Sequence, residues 1–388
     1  MLKAVSNGAA LGWIVAAMTF WPSQSRGQGL DLRMRQGYDT NVYQVASETD
    51  SQRVSAHYSS ARLGYELEAS LSALSFYAEP RLEARWYPET SRANRYGGQV
   101  DLGADADWRH DRGGAKWFTR TVVELEVSSE YERELFQKRQ TREEFRTGEP
   151  LDLTLRTDDM PSRWLAEAVL ALRSYVRDAV TLEAAGFAEW VEYSDSSADA
   201  PGRFGVLGSR EKGLLVAAGF NAGEVWKLDL EARWREKIYP EREAKDAEGE
   251  RLEGIARRYI YWDFEVGTVL DAGWLRNEVV GEYGWRDDRP AGYYAYTDWQ
   301  VRDRLRFQPL RVTRLELKLA YGEKRYESYA PAGQPIRNRY YDGRAALGLE
   351  ITPQVELFLV SEYEQTRSNE PRLTFERVEV FAEVRVTR

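Results

Sequence analysis

The sequence predicts an all-β protein: an antiparallel transmembrane β-barrel of about sixteen strands, with both termini periplasmic. Three observations lead to this prediction. Apolar and charged residues alternate along many segments, tryptophan and tyrosine residues stand at the ends of these segments, and the connections alternate between long and short. A period of two sends successive side chains to opposite faces of a strand, and membrane barrels combine this period with aromatic girdles and loops of unequal length.

The first element is a predicted signal peptide at residues 1–29, which leaves residues 30–388 for the barrel. Lys3 supplies a basic start, an apolar run extends from Ala9 to Trp21, and small residues follow it. Such a segment is typical of a cleaved secretory leader and is too short and too weakly flanked for a membrane-spanning helix. We therefore expect the protein to be exported.

The strand pattern is clearest in WKLDLEARW, from Trp226 to Trp234, where charged and apolar residues alternate without a break. Comparable alternation occurs in Val100–Trp108, Trp117–Val127, Trp164–Leu172, Val180–Trp190, Tyr259–Leu270, Leu275–Trp285, Arg314–Tyr321, Tyr341–Ile351, Val355–Tyr363 and Val378–Val386. Five more segments share it: LDLRMRQGYDTNVY, SARLGYELEA, FYAEPRLEARWY, KGLLVAAGF and TDWQVRDRLRF. Together they give about sixteen strands, an even number as in bacterial single-chain barrels.

The connections sort by length along the chain. Short turns such as YVRD, NAGE, DAGW and TPQ alternate with long charged loops, among them residues 131–163 and the stretch PEREAKDAEGERLEGIA. In membrane barrels the short turns are periplasmic and the long loops extracellular. Because both chain ends fall on the side of the short turns, we expect both termini to be periplasmic.

The tryptophans mark two edges of a lipid-facing band. Trp226 and Trp234 are eight residues apart, which at ~3.3 Å per residue and a tilt of about 40° corresponds to roughly 20 Å along the membrane normal. This length is near the ~25 Å apolar band of membrane barrels, and indole rings favour the headgroup levels. Other tryptophans at or near strand ends are Trp108, Trp117, Trp164, Trp190, Trp285 and Trp299.

Composition excludes several classes of function. The formal charge is −9, and removal of the two leader cations, Lys3 and Arg26, leaves −11. We therefore expect no nucleic-acid binding, which depends on basic surface. The chain has no cysteine and shows neither metal-ligand spacing nor a glycine-rich phosphate loop. We expect no enzymatic activity, no cofactor and no bound metal.

The pattern as a whole resembles outer-membrane β-barrel channels of the porin-like kind, over essentially all of residues 30–388. The resemblance implies the outer membrane of a Gram-negative bacterium, contact with outer-membrane lipid and lipopolysaccharide, and a passive channel or conduit. The chain departs from these barrels at its end, where Arg388 stands in place of the usual aromatic residue.

One local motif is narrower. GYDTNVYQ, from Gly37 to Gln44, looks like the D-x-N-V segment of barrels that serve exopolysaccharide export and surface assembly. This resemblance implies a role in polysaccharide export and contact with periplasmic export machinery. The alternative interpretation is structural, with Asp39 and Asn41 forming a turn at the end of the first strand.

Charged residues on the face opposite the apolar set are predicted to line the lumen. The predicted lumen or cargo path consists of Arg302, Arg304, Arg306, Arg314, Lys318, Arg233, Arg235, Tyr294 and Tyr296. Within the pair of strands that carries most of these cations, only Glu316 opposes them. A basic ladder in a hydrated passage attracts anionic solutes, and tyrosine rings suit saccharides. The alternative is a structural lattice of salt bridges.

The longest loop, residues 131–163, is the third on the outer side. In porins, which the architecture resembles, this loop commonly folds inward and narrows the pore. The candidate constriction residues are Glu143, Glu144, Asp152, Asp158 and Asp159. The alternative is an outer hairpin that extends a strand above the membrane.

Two other functions are open from the sequence. One is a non-conducting scaffold or interaction barrel, plugged by its own charges and loops. The other is an outer-membrane lipase, because His57 and Ser59 share a strand face in a manner similar to the His-x-Ser pair of outer-membrane phospholipases. The Asn-Gly sequence that follows in those enzymes is absent here.

Overall fold

A computed structural model of the chain shows a closed barrel of antiparallel strands. It describes residues 28–41, 55–90, 94–109, 118–133, 162–176, 179–194, 208–290, 292–310, 312–330 and 333–387. The first eight strands are β1 (Gln28–Asp39), β2 (Ala56–Leu71), β3 (Leu74–Trp86), β4 (Arg95–Arg109), β5 (Phe118–Arg133), β6 (Ser162–Val176), β7 (Val180–Ser194) and β8 (Ser209–Ala222). The others are β9 (Trp226–Lys245), β10 (Arg251–Asp271), β11 (Leu275–Arg289), β12 (Tyr296–Leu310), β13 (Thr313–Tyr326), β14 (Arg337–Thr352), β15 (Val355–Ser368) and β16 (Phe375–Thr387).

Sixteen strands in the described ranges confirm the predicted fold class and strand number. Each strand pairs with its neighbours in sequence, and β1 pairs with β16, with Asp31 opposite Thr387 and Asp39 opposite Glu379. The last strand therefore closes the barrel although the chain does not end on an aromatic residue. Residues 1–27 of the predicted leader lie outside the described part, and β1 begins two residues before the predicted boundary.

The two faces of the strands follow the sequence alternation. Leu230 of β9 points outward and is 39% exposed, whereas Glu231 points inward and pairs with Arg233 at 2.9 Å. Large apolar side chains are exposed around the outer surface, including Leu82, Leu102, Leu170, Leu214, Leu319 and Leu359. An exposed apolar belt of this extent is expected where a surface faces lipid rather than water.

Aromatic rings border this apolar belt at two levels. On the outer level Trp262 stacks on Trp285 with ring centroids 6.0 Å apart, and the ring centroids of Tyr321 and Tyr341 are 5.0 Å apart. We call this ring of aromatic residues on the long-loop side the outer girdle. At the short-turn end of β12, Phe307 is eight residues from Trp299 of the outer girdle, or roughly 20 Å along the membrane normal at ~3.3 Å per residue and a strand tilt of about 40°.

One predicted loop is wrong, because β9 and β10 form a long hairpin in its place. Most of PEREAKDAEGERLEGIA is strand, and the pairing extends to Lys245 opposite Arg251. The turn is closed by Asp246, whose carboxylate accepts hydrogen bonds from the backbone N–H of Glu248 and Glu250, and Gly249 has φ +90°. The stretch lacks apolar alternation because both faces of a strand above the membrane meet water, so the sequence resembled a loop.

A three-residue 3-10 helix, Pro371–Leu373, lies between β15 and β16. No helix in the described part of the chain is long and apolar enough to cross a membrane.

Candidate functional site

The seam between β1 and β16 contains a buried ion-pair network. Arg377 Nε donates to Asp39 Oδ1 at 3.1 Å, and its Nη2 donates to Asp39 Oδ2 at 2.8 Å. Arg377 also pairs with Glu379, which accepts a hydrogen bond from the Tyr58 hydroxyl. Arg85 of β3 approaches Glu379 to 3.4 Å. The network therefore links four strands at the long-loop end of the barrel.

The D-x-N-V motif takes part in this seam. Asp39 Oδ1 accepts the backbone N–H of Asn41 at 3.0 Å, and Asn41 Nδ2 donates to the Glu376 carbonyl at 3.1 Å. Asp39 is 0% exposed and Asn41 is 1% exposed. The turn that was the structural alternative for this motif is therefore present, and both polar side chains are buried in the barrel wall.

The predicted basic ladder lies on the inner face of β12 and β13. Val301 is exposed on the outer face, so Arg302, Arg304 and Arg306 point inward. Arg302 pairs with Glu265 at 3.1 Å and with Glu282.

Other strands of the barrel supply carboxylates to the same cations. Arg304 pairs with Glu316 at 2.8 Å, and Arg314 pairs with Glu356 of β15 at 3.2 Å. Glu265, Glu282 and Glu356 lie on other strands, so carboxylates from outside the β12–β13 pair oppose these cations in addition to Glu316. The barrel register, which the sequence does not state, brings the other carboxylates to the ladder.

The paired cations still have large accessible surfaces inside the barrel. The exposed fraction of the side chain is 48% for Arg302, 42% for Arg304 and 45% for Lys318. The wall of a closed barrel surrounds them, so this surface faces an internal space that water can enter. Hydration lowers the cost of holding many charges in the interior, which is severe for dry charges.

Three cations form a row across adjacent strands. In register, Arg304 of β12 lies opposite Lys318 of β13, and Lys318 lies opposite Arg344 of β14. Glu316 lies 2.8 Å from Arg304, 3.6 Å from Lys318 and 3.9 Å from Arg344. We call Arg304, Lys318 and Arg344 the basic row.

A row of carboxylates lies on the other side of the lumen. Glu167 of β6 is in register with Glu189 of β7, which is in register with Glu211 of β8. In the ring of strands β6 is eight positions from β14, so the two rows lie on opposite walls of the barrel. Like charges on directly opposite residues destabilise a sheet. The sequence carried no signal for this acidic row, because its members come from separate strands.

The predicted path residues Arg233 and Arg235 also point inward from β9. Arg233 pairs with Glu231 at 2.9 Å, and Arg235 lies between Glu211 at 3.2 Å and Asp263 at 2.9 Å. Arg235 therefore joins the acidic row to β10.

A tyrosine cluster fills the long-loop end of the barrel between β9 and β14. Its members are Tyr239, Tyr259, Tyr261, Tyr294, Tyr296, Tyr326 and Tyr329, packed with Ile336. The predicted path residues Tyr294 and Tyr296 are 1% and 6% exposed. Their rings lie inside a packed cluster rather than on an open wall of the lumen.

Arg286 lies at the centre of the tyrosine cluster and is 1% exposed. Its guanidinium carbon is 4.3 Å from the ring centroids of both Tyr259 and Tyr296. Its Nη2 donates to the Tyr294 carbonyl at 2.7 Å, while Asp288 accepts the Tyr294 N–H at 2.8 Å. These bonds hold the β11–β12 connection inward. Cation–π contacts of desolvated cations are worth about 2 kcal/mol each.

The other candidate residues are not part of these groups. Glu143, Glu144, Asp152, Asp158 and Asp159 lie outside the described residues. His57 lies against the ring of Tyr38, with centroids 5.1 Å apart, on the outer face of β2. No group of three or more His, Cys, Asp or Glu side chains in the described ranges could hold a metal ion.

No protein-family profile and no curated protein sequence match the chain. CdiB from Acinetobacter baumannii is a similar solved structure, with 8% identity, a TM-score of 0.52, and coverage of 94% of this chain and 61% of CdiB. This chain thus spans less than two thirds of that protein. OccAB1 from Acinetobacter baumannii has 9% identity and a TM-score of 0.50, with coverage of 93% and 96%.

A BenF-like porin from Pseudomonas fluorescens has 9% identity and a TM-score of 0.48, with coverage of 94% and 99%. At such low identities, similarity concerns the fold. The described strands form the closed sixteen-stranded antiparallel barrel that the sequence predicts.

Proposed function

We propose that the protein is a passive channel for small polar solutes in the outer membrane of a Gram-negative bacterium. The observation that supports this most is the exposure of the inward cations. Arg302, Arg304 and Lys318 keep roughly half of their side-chain surface accessible inside the barrel. A lattice built only to stabilise the wall would bury its ion pairs, as the seam does with Asp39 and Arg377.

The basic row suits anionic solutes. Guanidinium groups bind carboxylate, sulfate or phosphate through two parallel hydrogen bonds. Arg304, Lys318 and Arg344 share the single carboxylate of Glu316. A passing anion can take the place of such a shared carboxylate. The acidic row across the lumen would attract the cationic end of a solute that carries both charges, so the two rows would orient it.

Polysaccharide export is a narrower proposal, together with contact to periplasmic export machinery. Its support is the local sequence resemblance of GYDTNVYQ. The Asp39 and Asn41 side chains of this motif bond within the seam, so the proposed cargo class rests on the basic row.

A non-conducting scaffold is the second candidate, and the tyrosine cluster favours it. The cluster packs seven tyrosines and Arg286 into the long-loop end of the barrel, where they reduce the open cross-section. A scaffold would use this packing to seal the lumen.

Conductance in planar bilayers separates the two candidates. The refolded barrel is added to one chamber in potassium chloride, and its insertion is verified by recovery of the protein from the bilayer lipid. A channel gives discrete current steps that scale with salt concentration. A barrel that inserts and gives no steps at any voltage is a scaffold, and the proposed channel function is then wrong.

A further inference from the structure

A basic patch lies on the outer surface of the barrel, on β13, β14 and β15. It consists of Arg325, Arg337 and Arg339, which pair with Glu323, and of Arg367, which lies opposite Arg339 on β15. These residues have the same parity as the outward-facing Leu319, Leu347 and Leu359 of their strands, so they point away from the lumen. The patch is therefore separate from the proposed solute path.

Glu323 is the hub of this patch. Arg337 Nη2 donates to Glu323 Oε2 at 2.5 Å, Arg339 Nε donates to the same oxygen at 3.2 Å, and Arg325 pairs with Glu323 Oε1. Glu323 is 3% exposed. One carboxylate thus holds three guanidinium groups side by side, and neutralising it would require only one of them.

The arginines are exposed although they share this hub. The exposed fraction of the side chain is 60% for Arg325, 43% for Arg337 and 45% for Arg339. Arg367 lies opposite Arg339 in the register of β14 and β15 and is also exposed.

The positive charge of the patch is not cancelled by the adjacent strand. On β16 the outward Glu376 lies opposite Gln365, two residues below Arg367. Its carboxylate accepts a hydrogen bond from the Tyr363 hydroxyl at 3.4 Å. Even with this carboxylate included, cations outnumber anions in the patch.

The height of the patch places it at the edge of the membrane. Tyr321 and Tyr341 of the outer girdle are two residues below Glu323 and Arg339 on the same strands, a step of roughly 5 Å along the membrane normal. Girdle tyrosines lie at the headgroup level, and arginine stems can extend past them to reach polar groups. The guanidinium groups of the patch are thus at the level of the headgroups of the surrounding leaflet.

We propose that the basic patch binds the phosphate groups of lipopolysaccharide in the outer leaflet. Three guanidinium groups around one carboxylate leave N–H donors for a second, doubly charged anion. Arginine binds phosphate through paired hydrogen bonds. The apolar belt below the girdle provides the surface for the acyl chains of the same molecule. The proposal rests on the orientation in which the long loops face outside, and it does not depend on whether the barrel conducts.

The test measures lipid binding to the refolded full-length barrel in non-ionic detergent. The probes are bisphosphorylated lipid A, the same lipid A with its phosphates removed, and phosphatidylglycerol. Wild type should bind bisphosphorylated lipid A at least about tenfold more tightly than either other lipid, because only this probe offers dianionic groups to the forks. The triple variant Arg325→Gln, Arg337→Gln, Arg339→Gln should lose this preference.

A matched control separates charge from position. Arg81→Gln, Arg120→Gln and Arg173→Gln together remove the same charge from the lumen side, where each arginine pairs with a carboxylate. This control should retain the wild-type preference, and both variants should show the heat-modifiable gel mobility of a folded barrel. Equal binding of lipid A with and without phosphates by wild type would overturn the proposal. So would an equal loss of preference in both variants, or phosphatidylglycerol binding as tight as that of bisphosphorylated lipid A.

Discussion

Arg377 of the last strand holds Asp39 of the first strand through two hydrogen bonds, at 3.1 and 2.8 Å, at the point where the barrel closes. The Asp39 side chain is 0% exposed and that of Arg377 is 10% exposed. A charge pair so well removed from water is costly to break, because the remaining carboxylate is left buried without a counter-ion.

Replacing Arg377 by Gln should lower the free energy of unfolding by roughly 3–5 kcal/mol. Arg33→Gln is the matched control at the other end of the seam, where the Arg33–Asp31 pair is 27% and 31% exposed. Its cost should be about 1 kcal/mol or less. Urea unfolding of the barrel in lipid vesicles, followed by tryptophan fluorescence, gives both values. Equal costs would mean that the seam network does not stabilise closure.

Replacing Leu230 by Arg should cost roughly 2–4 kcal/mol, because Leu230 faces the apolar belt near its middle. Glu231→Gln, one residue away, removes a partner of Arg233 whose side chain is 30% exposed and should cost about 1 kcal/mol or less. The same unfolding experiment compares them. Similar losses for the two variants would show that the faces are exchanged or that the belt does not meet lipid.

Orientation can be tested with single cysteines, since the chain has none of its own. Glu248→Cys lies in the exposed β9–β10 turn, and Gln354→Cys lies in the exposed β14–β15 turn at the opposite end. A membrane-impermeant maleimide added to intact cells should label the first variant and spare the second until the outer membrane is opened. The reverse labelling would place the short turns outside.

Replacing Arg286 by Leu should increase the single-channel conductance. Arg286 Nε and Nη2 hold the carbonyl of Tyr294 at 3.1 and 2.7 Å, so its loss frees the β11–β12 connection to move out of the lumen. Arg276→Leu is the control, because Arg276 lies at the other end of β11 and its side chain is 48% exposed. An unchanged conductance in the Arg286 variant would mean that the tyrosine cluster does not narrow the passage.

The faces of the strands were predictable because alternation is a local property of the sequence. The assignments of Leu230 and Glu231 to opposite faces follow from a period of two alone. Strand number and closure followed from the same period together with the connections. The extended β9–β10 hairpin was not predictable in this way, since Lys245 and Arg251 lie where neither face is apolar.

Partners across strands depended on register, which a single sequence does not specify. Nothing in the sequence brings Glu265 to Arg302, or Glu167 into one row with Glu211. The inward fold of Tyr294 depended on a loop conformation held by Arg286 and Asp288. Loops fold through such specific contacts rather than through periodicity, so Tyr294 was assigned to an open wall.

The most direct test of the proposed channel is the reversal potential of the barrel in an asymmetric salt gradient. Changing Arg302, Arg304 and Arg306 together to Gln removes three inward cations and leaves Glu265 and Glu282 without a partner that they have in the wild type. The control changes Lys212, Arg258 and Arg289 to Gln, three cations on the outer surface. Lys212 and Arg258 pair with Glu236, and Arg289 pairs with Asp287. We expect the reversal potential of the inward variant to shift toward cation preference, while the control keeps the wild-type value. The shift should be larger at low salt, because the Debye length increases to ~30 Å at 0.01 M. A conducting barrel in which the inward variant also keeps the wild-type reversal potential at low salt would contradict the account, because ions would then pass without meeting the basic ladder.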